Sequence, residues 1–140
     1  MVRPARPDDA AVIASLLGEL GYPTSAEAVG RRLEALGSDD VVLLADEGAG
    51  MIALHRIPRL AEGSPLVRVT ALVVRADGRR TGVAGSLMAA ADEMARGWGC
   101  TLMEISCGRR PERAAAHRFY SAAGFADTAE RSVRYWKSLD

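Results

Sequence analysis

The centre of the chain, residues 72–86, reads LVVRADGRRTGVAGS. It joins the end of an apolar strand to the start of an amphipathic helix through a turn rich in glycine and arginine. The first N–H groups of a helix lack intrahelical acceptors and lie at the positive end of the helix dipole, and glycine lets a ligand approach the backbone closely. Arg79 and Arg80 add positive charge to this turn. The stretch therefore predicts a binding site for a phosphate or pyrophosphate group.

The common nucleotide-binding signatures are absent from the chain. Neither the P-loop pattern GxxxxGK[ST] nor the dinucleotide pattern GxGxxG occurs. Gly97-Trp98-Gly99 follows a helix rather than a strand, so it is no Rossmann fingerprint. The turn instead carries the pattern R-x-x-G-x-A at residues 79–84. The ligand is therefore expected to be neither a P-loop nucleotide nor a Rossmann dinucleotide.

Outside the turn, the hydrophobic periodicity predicts an α/β fold with a mixed sheet. A capping-box pattern, Thr24 with Glu27, opens the second helix. The predicted elements are a strand at Val2–Arg6, a helix from Asp8 or Asp9 to Leu20, a helix from Thr24 to Gly37, strands at Val41–Ala45, Met51–Ile57 and Leu66–Val74, a helix from Val83 to Trp98, a strand at Thr101–Ser106, a helix at Pro111–Ala123, and a final β-pair at Phe125–Asp127 and Arg131–Lys137.

Length and composition predict one domain over residues 1–140 and exclude several classes of function. The 18 Lys+Arg residues balance 18 Asp+Glu residues, whereas nucleic-acid-binding domains usually carry a basic excess. No run approaches the ~20 apolar residues of a membrane span. Cys100 and Cys107 would lie about 23 Å apart on one strand, too far for a disulfide, and the two histidines give no metal-ligand spacing. We therefore expect a cytoplasmic protein without metal, membrane or nucleic-acid partner.

Three segments together resemble the Gcn5-related N-acetyltransferase (GNAT) family. They are R-x-x-G-x-A at residues 79–84, AHRFYSAAGF at residues 116–125, which is similar to A-x-x-x-Y-x-x-x-G-F, and the opening RPARPDD at residues 3–9. The element order also matches, so the resemblance covers essentially the whole chain. It implies the acyl-CoA N-acyltransferase fold, a mixed, mostly antiparallel sheet flanked by helices with a splayed parallel strand pair. It also implies acetyl-CoA as cosubstrate.

The resemblance assigns the cosubstrate to two segments. Backbone N–H groups from Arg80 to Gly85 would hold the pyrophosphate, and backbone groups from Leu72 to Val74 would pair with the pantetheine arm. An N–H near Val73 would polarise the thioester carbonyl. Arg113 stands where the family often has asparagine, and it could reach a phosphate of CoA. The complete predicted set is Leu72, Val73, Val74, Arg79, Arg80, Thr81, Gly82, Val83, Ala84, Gly85, Ser86 and Arg113.

The reaction implied is direct attack of an amine on the thioester, which needs a base and an acid. Tyr120 matches the family's tyrosine near the CoA sulfur and is assigned as general acid, the alternative being a packing role. Many relatives carry a glutamate on the long strand, and residues 67–71 here offer no carboxylate. Glu104, Glu62, His55 and a water relay all remain open as the base.

The predicted function is acetyl transfer from acetyl-CoA to a primary amine, with a small molecule preferred as acceptor. A protein or N-terminal acetyltransferase, and a non-catalytic acyl-CoA-binding module, are the alternatives, and a nucleotide-binding regulator is disfavoured by the absent signatures. Tyr22 is a candidate acceptor contact. Tyr135 and Trp136 on the predicted last strand would pack in the core or line the interface of a homodimer.

Overall fold

In the computed structural model, which describes residues 1–78, 81–106, 114–128, 132 and 134–139, the chain forms two units, Met1–Ile105 and Ser106–Asp140. The first unit contains a sheet and three α-helices, and the second contains one described α-helix. The strands are β1 (Arg3–Pro4), β2 (Asp40–Leu44), β3 (Gly50–Ile57), β4 (Leu66–Val74) and β5 (Leu102–Ile105), and the helices are α1 (Ala10–Leu20), α2 (Ala26–Ala35), α3 (Val83–Gly97) and α4 (Ala114–Ala122).

The five strands form one mixed sheet in the order β1-β2-β3-β4-β5. The pairs β1–β2, β2–β3 and β3–β4 are antiparallel. Short connections join β2 to β3 and β3 to β4 and return the chain alongside itself, whereas α1 and α2 lie between β1 and β2. Strands β4 and β5 pair in parallel, and α3 provides the crossover that a parallel pair requires. The predicted fold class, a mostly antiparallel sheet with one parallel pair and flanking helices, is confirmed.

A β-bulge interrupts the pairing of β3 with β4. Ala53 pairs with Ala71 while the next residue, Leu54, pairs with Val69, so Thr70 is an extra residue in β4. The Thr70 hydroxyl donates a hydrogen bond to the carbonyl of Ala53 at 3.3 Å. A bulge bends its strand and resets the alternation of side chains. Val69 and Ala71 consequently face opposite sides of the sheet.

The core has two halves, one on each face of the sheet. On one face, α1 and α2 pack against a cluster of buried residues: Ile13, Leu16, Val29, Leu44, Met51 and Val73. On the other face, where α3 contacts β3 and β4, the alternation places buried Ile52, Leu54 and Val69. In the described part of the chain, each helix is too short or too polar to cross a bilayer.

The starts of the first two helices differ in detail from the prediction. Asp9 is the N-cap residue of α1, but its carboxylate makes no capping bond. For α2 the N-cap is Ser25 rather than Thr24: the Ser25 hydroxyl accepts from the Ala28 N–H at 3.1 Å. The Thr24 hydroxyl instead donates to the Tyr22 carbonyl at 2.8 Å. Thr24 and Ser25 are adjacent hydroxyl residues, and the backbone conformation makes Ser25 the N-cap.

The predicted final β-pair is not formed by the residues that the structure describes there. Residues 125–128, 132 and 134–139 contain no strand, while Arg131, which opens the predicted second strand, lies outside the described residues. Tyr135 and Trp136 are 86% and 89% exposed. Of their two predicted roles, core packing does not agree with this exposure, and the homodimer interface stays a prediction. Apolar alternation alone does not make a strand, because an isolated two-stranded pair is marginal in water.

The Asp9 carboxylate fastens β1 to the start of α1. It accepts two bonds from the Arg3 guanidinium, at 2.8 and 2.9 Å, and one from the Arg6 N–H at 2.7 Å. These hydrogen bonds, first from Arg3 and then from the Arg6 backbone, lower the pKa of Asp9 to about 2. Asp9 is a buried charged residue, and its three acceptor bonds compensate for that burial.

We expect Asp9→Asn to lower the free energy of unfolding at pH 7 by about 1–2 kcal/mol. The lowered pKa of Asp9 means that its contribution is present above about pH 4 and is lost as the pH falls toward 2. Urea unfolding of both proteins from pH 7 down to pH 3 measures the narrowing difference. Asp8→Asn, which removes an exposed carboxylate one residue away, is the control. Equal losses in the two variants would contradict the assignment.

Candidate functional site

Strands β4 and β5 part at the position of the bulge. Their parallel pairing runs from Leu66 and Leu102 to Val69 and Ile105. Strand β5 ends at Ile105, whereas β4 continues past Thr70 to Val74. The bulge bends β4 at the same residue where pairing stops. Among the described residues, the second half of β4 therefore has no neighbouring strand on the β5 side, and we call this edge the cleft.

The alternating directions of the backbone N–H and carbonyl groups along β4 show which of these groups border the cleft. The Arg75 N–H donates to the Ala49 carbonyl of the β3 side at 2.8 Å. Because successive residues of a strand point their backbone groups to alternate sides, Val73 directs its N–H and carbonyl to β3. Leu72 and Val74 direct theirs to the β5 side. The N–H groups on the β5 side next to Val73 are those of Leu72 and Val74, and the predicted donor to the thioester stays a prediction.

The glycine-rich turn ends in a helix start that faces solvent. Gly82 caps α3 with φ +88°, a left-handed conformation that favours glycine. The first helical bond runs from the Ser86 N–H to the Gly82 carbonyl at 3.0 Å, so the N–H groups of residues 83–85 precede the helical ladder. A Cβ added at Gly82 or at Gly85 would meet nothing within 4 Å. Within the part of the chain that the structure describes, no atom covers the backbone at these two glycines.

The predicted cosubstrate residues divide into described and undescribed ones. Thr81, Gly82, Val83, Ala84, Gly85 and Ser86 lie together in the turn and the first turn of α3, at the end of β4. Ser86 uses its N–H inside the helix, which leaves its hydroxyl for a ligand. Arg79, Arg80 and Arg113 lie outside the described residues.

Gly50 fixes the start of α3 against the end of β4. It lies in β3 opposite Val74, and a Cβ at this position would lie 2.8 Å from the Val73 carbonyl oxygen and 3.2 Å from side-chain carbons of Val83 and Leu87. Any side chain here would push α3 away from the strand. The close contact aligns the helix start with the cleft.

A row of charged side chains crosses the sheet on the face of α1 and α2. The register places Asp40, His55, Arg68 and Glu104 opposite one another on β2, β3, β4 and β5. His55 Nδ1 lies 2.8 Å from an Asp40 carboxylate oxygen, and Arg68 forms an ion pair with Glu104. Two of the candidate bases, His55 and Glu104, thus lie in one row. Glu62 is exposed in the loop between β3 and β4.

Tyr120 lies in the second unit, on α4. It is buried, and its ring makes edge contacts with Phe119 and Phe125 at centroid distances of 5.8 and 5.9 Å. Gly124 turns the chain with φ +98°, which lets the Phe125 N–H donate to the Tyr120 carbonyl at 3.0 Å. The spacing Y-x-x-x-G-F thus has a local structural cause. The role of Tyr120 as general acid stays a prediction.

Two further features belong to the first unit. Tyr22, the candidate acceptor contact, is 67% exposed at the end of α1. A cavity of about 230 Å³ lies between α2 and the β1–β2 edge, lined in part by Arg6, Leu33, Glu34 and Asp40. This edge is two strands from the parting of β4 and β5. Among the described residues, no group of three or more His, Cys, Asp or Glu side chains could hold a metal ion.

A model of the acetyltransferase (GNAT) family matches residues 16–125. The chain belongs to the GNAT family. This GNAT chain is similar to a proposed acetyltransferase of Arthrobacter sp. FB24, with 32% identity and a TM-score of 0.81 over 99% of this chain and 96% of that one. No curated protein matches it.

Two more distant structures share the fold of this GNAT chain. One is a GNAT family acetyltransferase of Staphylococcus aureus, with 20% identity and a TM-score of 0.80 over 99% of this chain and 98% of that one. The other is an aminoglycoside acetyltransferase from an uncultured soil metagenomic sample, with 19% identity and a TM-score of 0.79 over 100% and 98%. The family predicted from the three motifs, and its acyltransferase fold, are confirmed.

The charged row was not found by sequence reasoning. Its four residues are 13 to 36 positions apart along the chain when taken in order, and no spacing rule joins them. The bulge at Thr70 shifts the register by one residue and decides which residue of β4 faces His55. The sequence analysis named His55 and Glu104 as candidate bases, but it did not indicate that they lie in the same row.

We expect Gly50→Ala to destabilise the GNAT fold by about 1–3 kcal/mol, because its Cβ overlaps a backbone oxygen that cannot move alone. Gly30→Ala is the matched control, since a Cβ there meets nothing within 4 Å in the middle of α2. That variant is expected to be stabilised by up to about 1 kcal/mol. Chemical unfolding of both variants at pH 7 measures the difference, and a neutral Gly50→Ala would contradict the close contact.

Proposed function

We propose that this GNAT domain transfers an acetyl group from acetyl-CoA to the primary amine of a small molecule. One observation carries the proposal: the part of β4 after Thr70 has no paired strand on the β5 side among the described residues, and it precedes the helix start at Gly82. A thioester with a long arm and a pyrophosphate fits such an arrangement, since the arm needs an extended backbone partner and the phosphates need N–H donors.

In this proposal each backbone group has a separate task. The N–H groups of Val83, Ala84 and Gly85 bind the pyrophosphate, with Arg79, Arg80 and Arg113 supplying charge. The backbone of Leu72 and Val74 pairs with the pantetheine arm. The Leu72 N–H donates to the thioester carbonyl oxygen, which stabilises the negative charge that develops there during attack.

The proposed chemistry is direct transfer without an acyl-enzyme. The neutral amine nitrogen attacks the carbonyl carbon, the C–N bond forms and the C–S bond breaks. Tyr120 donates a proton to the departing sulfur, a role that suits a phenol because its ordinary pKa is near 10.

The preference for a small acceptor rests on the charge of the row on the α1 and α2 face of the sheet. A lysine-rich polypeptide needs an acidic surface, and the row across β2 to β5 carries two acidic side chains, one arginine and one histidine. The aminoglycoside acetyltransferase of similar fold is compatible with this preference, although at its level of identity it supports the fold alone. A protein acceptor is the second candidate. A cytoplasmic location and a homodimer remain part of the proposal.

A non-catalytic acyl-CoA-binding module is the alternative from a different class, favoured by the absence of a carboxylate on residues 67–71 of β4. Thermal unfolding with acetyl-CoA, CoA, ATP and NAD separates these functions first, because a ligand that binds only the folded state raises the midpoint. A shift with acetyl-CoA and CoA but not with ATP or NAD is expected. Release of free thiol with a panel of amines then distinguishes the enzyme from the module.

Gly82→Ala is expected to weaken acetyl-CoA binding about 10-fold, because alanine disfavours the left-handed conformation by about 1–2 kcal/mol and rotates the donors that follow. Gly99→Ala is the matched control: Gly99 has φ +80°, and its Cβ would also meet nothing within 4 Å. It lies just beyond the opposite end of α3. Calorimetric titration with acetyl-CoA should give a changed Kd for Gly82→Ala alone. Equal Kd values in the two variants would remove the helix start from the site.

Tyr120→Phe is expected to lower kcat about 100-fold while leaving the Kd for acetyl-CoA unchanged, because the ring stays and only the proton donor is lost. Steady-state thiol release and calorimetric titration give the two quantities. Tyr135→Phe removes an exposed hydroxyl and serves as control. Retention of more than half of kcat by Tyr120→Phe would assign Tyr120 to packing.

A further inference from the structure

The charged row across the sheet contains a histidine–carboxylate pair with the geometry of an oriented base. His55 Nδ1 and an Asp40 oxygen lie 2.8 Å apart. Because an ionised carboxylate only accepts hydrogen bonds, Nδ1 carries the hydrogen and Nε2 holds the lone pair. The two residues are direct cross-strand partners on β3 and β2, so rigid strands hold the pair.

The exposure of the pair fits a proton acceptor. The Asp40 side chain is 27% exposed and the His55 side chain 43%. The carboxylate is therefore partly shielded while the imidazole can reach solvent. Around His55 on this face are Asp40 from β2, Arg68 from β4 and Glu104 beyond it on β5, and Glu34 of α2 lines the same cavity as Asp40.

The other candidate in the row is less suited to the task. The Glu104 carboxylate is engaged by the guanidinium of Arg68. Carboxylates are weak bases near neutral pH, whereas imidazole changes charge close to it. A base that takes a proton from an ammonium group works best when its pKa lies near the operating pH. The chemistry of the row therefore favours the histidine.

His55 lies on the correct face for an acceptor that meets the thioester at the open edge of β4. Its partner across the strands, Arg68, lies two residues before Thr70. Ile52, which pairs with Leu72, is three residues from His55 along β3, or about 10 Å. In this inference the acceptor amine and bridging water lie between His55 and a thioester at the edge of β4. The helix start at Gly82 belongs to α3 on the opposite face, so acceptor and phosphates approach from different sides.

We propose that His55, oriented by Asp40, accepts the proton that the acceptor ammonium loses before attack; this inference rests on the proposed function. One N–H proton passes through the water to His55 Nε2 and then to solvent. The neutral amine forms the C–N bond, the C–S bond breaks, and the second proton of the amine nitrogen leaves to solvent. The sulfur gains its proton from Tyr120, which is reprotonated from solvent. The net products are the amide, CoA thiol and one proton.

The test is the pH dependence of kcat/KM for thiol release with an amine acceptor that is turned over. His55→Asn keeps a side-chain N–H that can donate to Asp40 but removes the base. It is expected to lower kcat/KM about 100-fold at pH 7 and to abolish the acidic limb of the wild-type profile. Asp40→Asn is expected to lower kcat/KM as well, because the imidazole loses the carboxylate that orients it.

Two controls separate this role from a structural one. Arg56 donates to Asp39 at 2.8 Å in a cross-strand charge pair one residue away, on the opposite face of the sheet. Asp39→Asn should leave the pH profile in place. Glu104→Gln tests the rival base: loss of the acidic limb in Glu104→Gln, with its retention in His55→Asn, would overturn the proposal.

A second measurement needs no acceptor. Proton–nitrogen correlation spectra are expected to show the Nδ1–H tautomer when the His55 ring is neutral, and a changed signal in Asp40→Asn. A neutral Nε2–H tautomer would overturn the orientation by Asp40. A thermal shift with acetyl-CoA in His55→Asn equal to that of the wild type shows that the cosubstrate site is intact. Absence of that shift in the wild type itself is instead a failure of the proposed function.

Discussion

The extra residue Thr70 in β4 is the constraint on which the site depends. It shifts the register of β4 against β3 by one position, so that Val69 and Ala71 face opposite sides of the sheet. It also lies where the pairing of β4 with β5 stops. A regular β4 would place the same side chains on the wrong faces beyond this point. Because of the bulge, the first half of β4 packs in the α3 core and the second half packs in the α1 core. The cleft lies beside the second half.

Close packing of the backbone, rather than contacts between polar side chains, holds the start of α3 next to the cleft. Gly50 brings β3 within van der Waals contact of both the β4 carbonyl at Val73 and the start of α3. Gly82 then places three N–H groups at the end of the cleft. Rigid elements position a site more accurately than loops do. The same sheet carries the row from Asp40 to Glu104 on its other face, so both halves of the proposed reaction are held by β3 and β4.

Much of the first unit could be predicted from the sequence because its signals are local. The bounds of β4 at Leu66–Val74 and the start of α3 at Val83 agree with the prediction, since apolar runs and glycine punctuation are strong in both. The cap of α2 was misplaced by one residue, because Thr24 and Ser25 are chemically alike. The final β-pair was predicted from alternation and is not formed in the described residues, because a strand also needs a partner.

By itself, the sequence determined the family and the motif order. R-x-x-G-x-A after an apolar strand, and Y-x-x-x-G-F near the end, depend on neighbours within a few residues, where backbone conformation is set by residue type. Only the tertiary structure decided that Leu72 and Val74 border the cleft, and that His55 meets Asp40 while Glu104 meets Arg68. These contacts join residues on different strands, and the pairing register that brings them together follows from the packing of both sheet faces and from the bulge at Thr70.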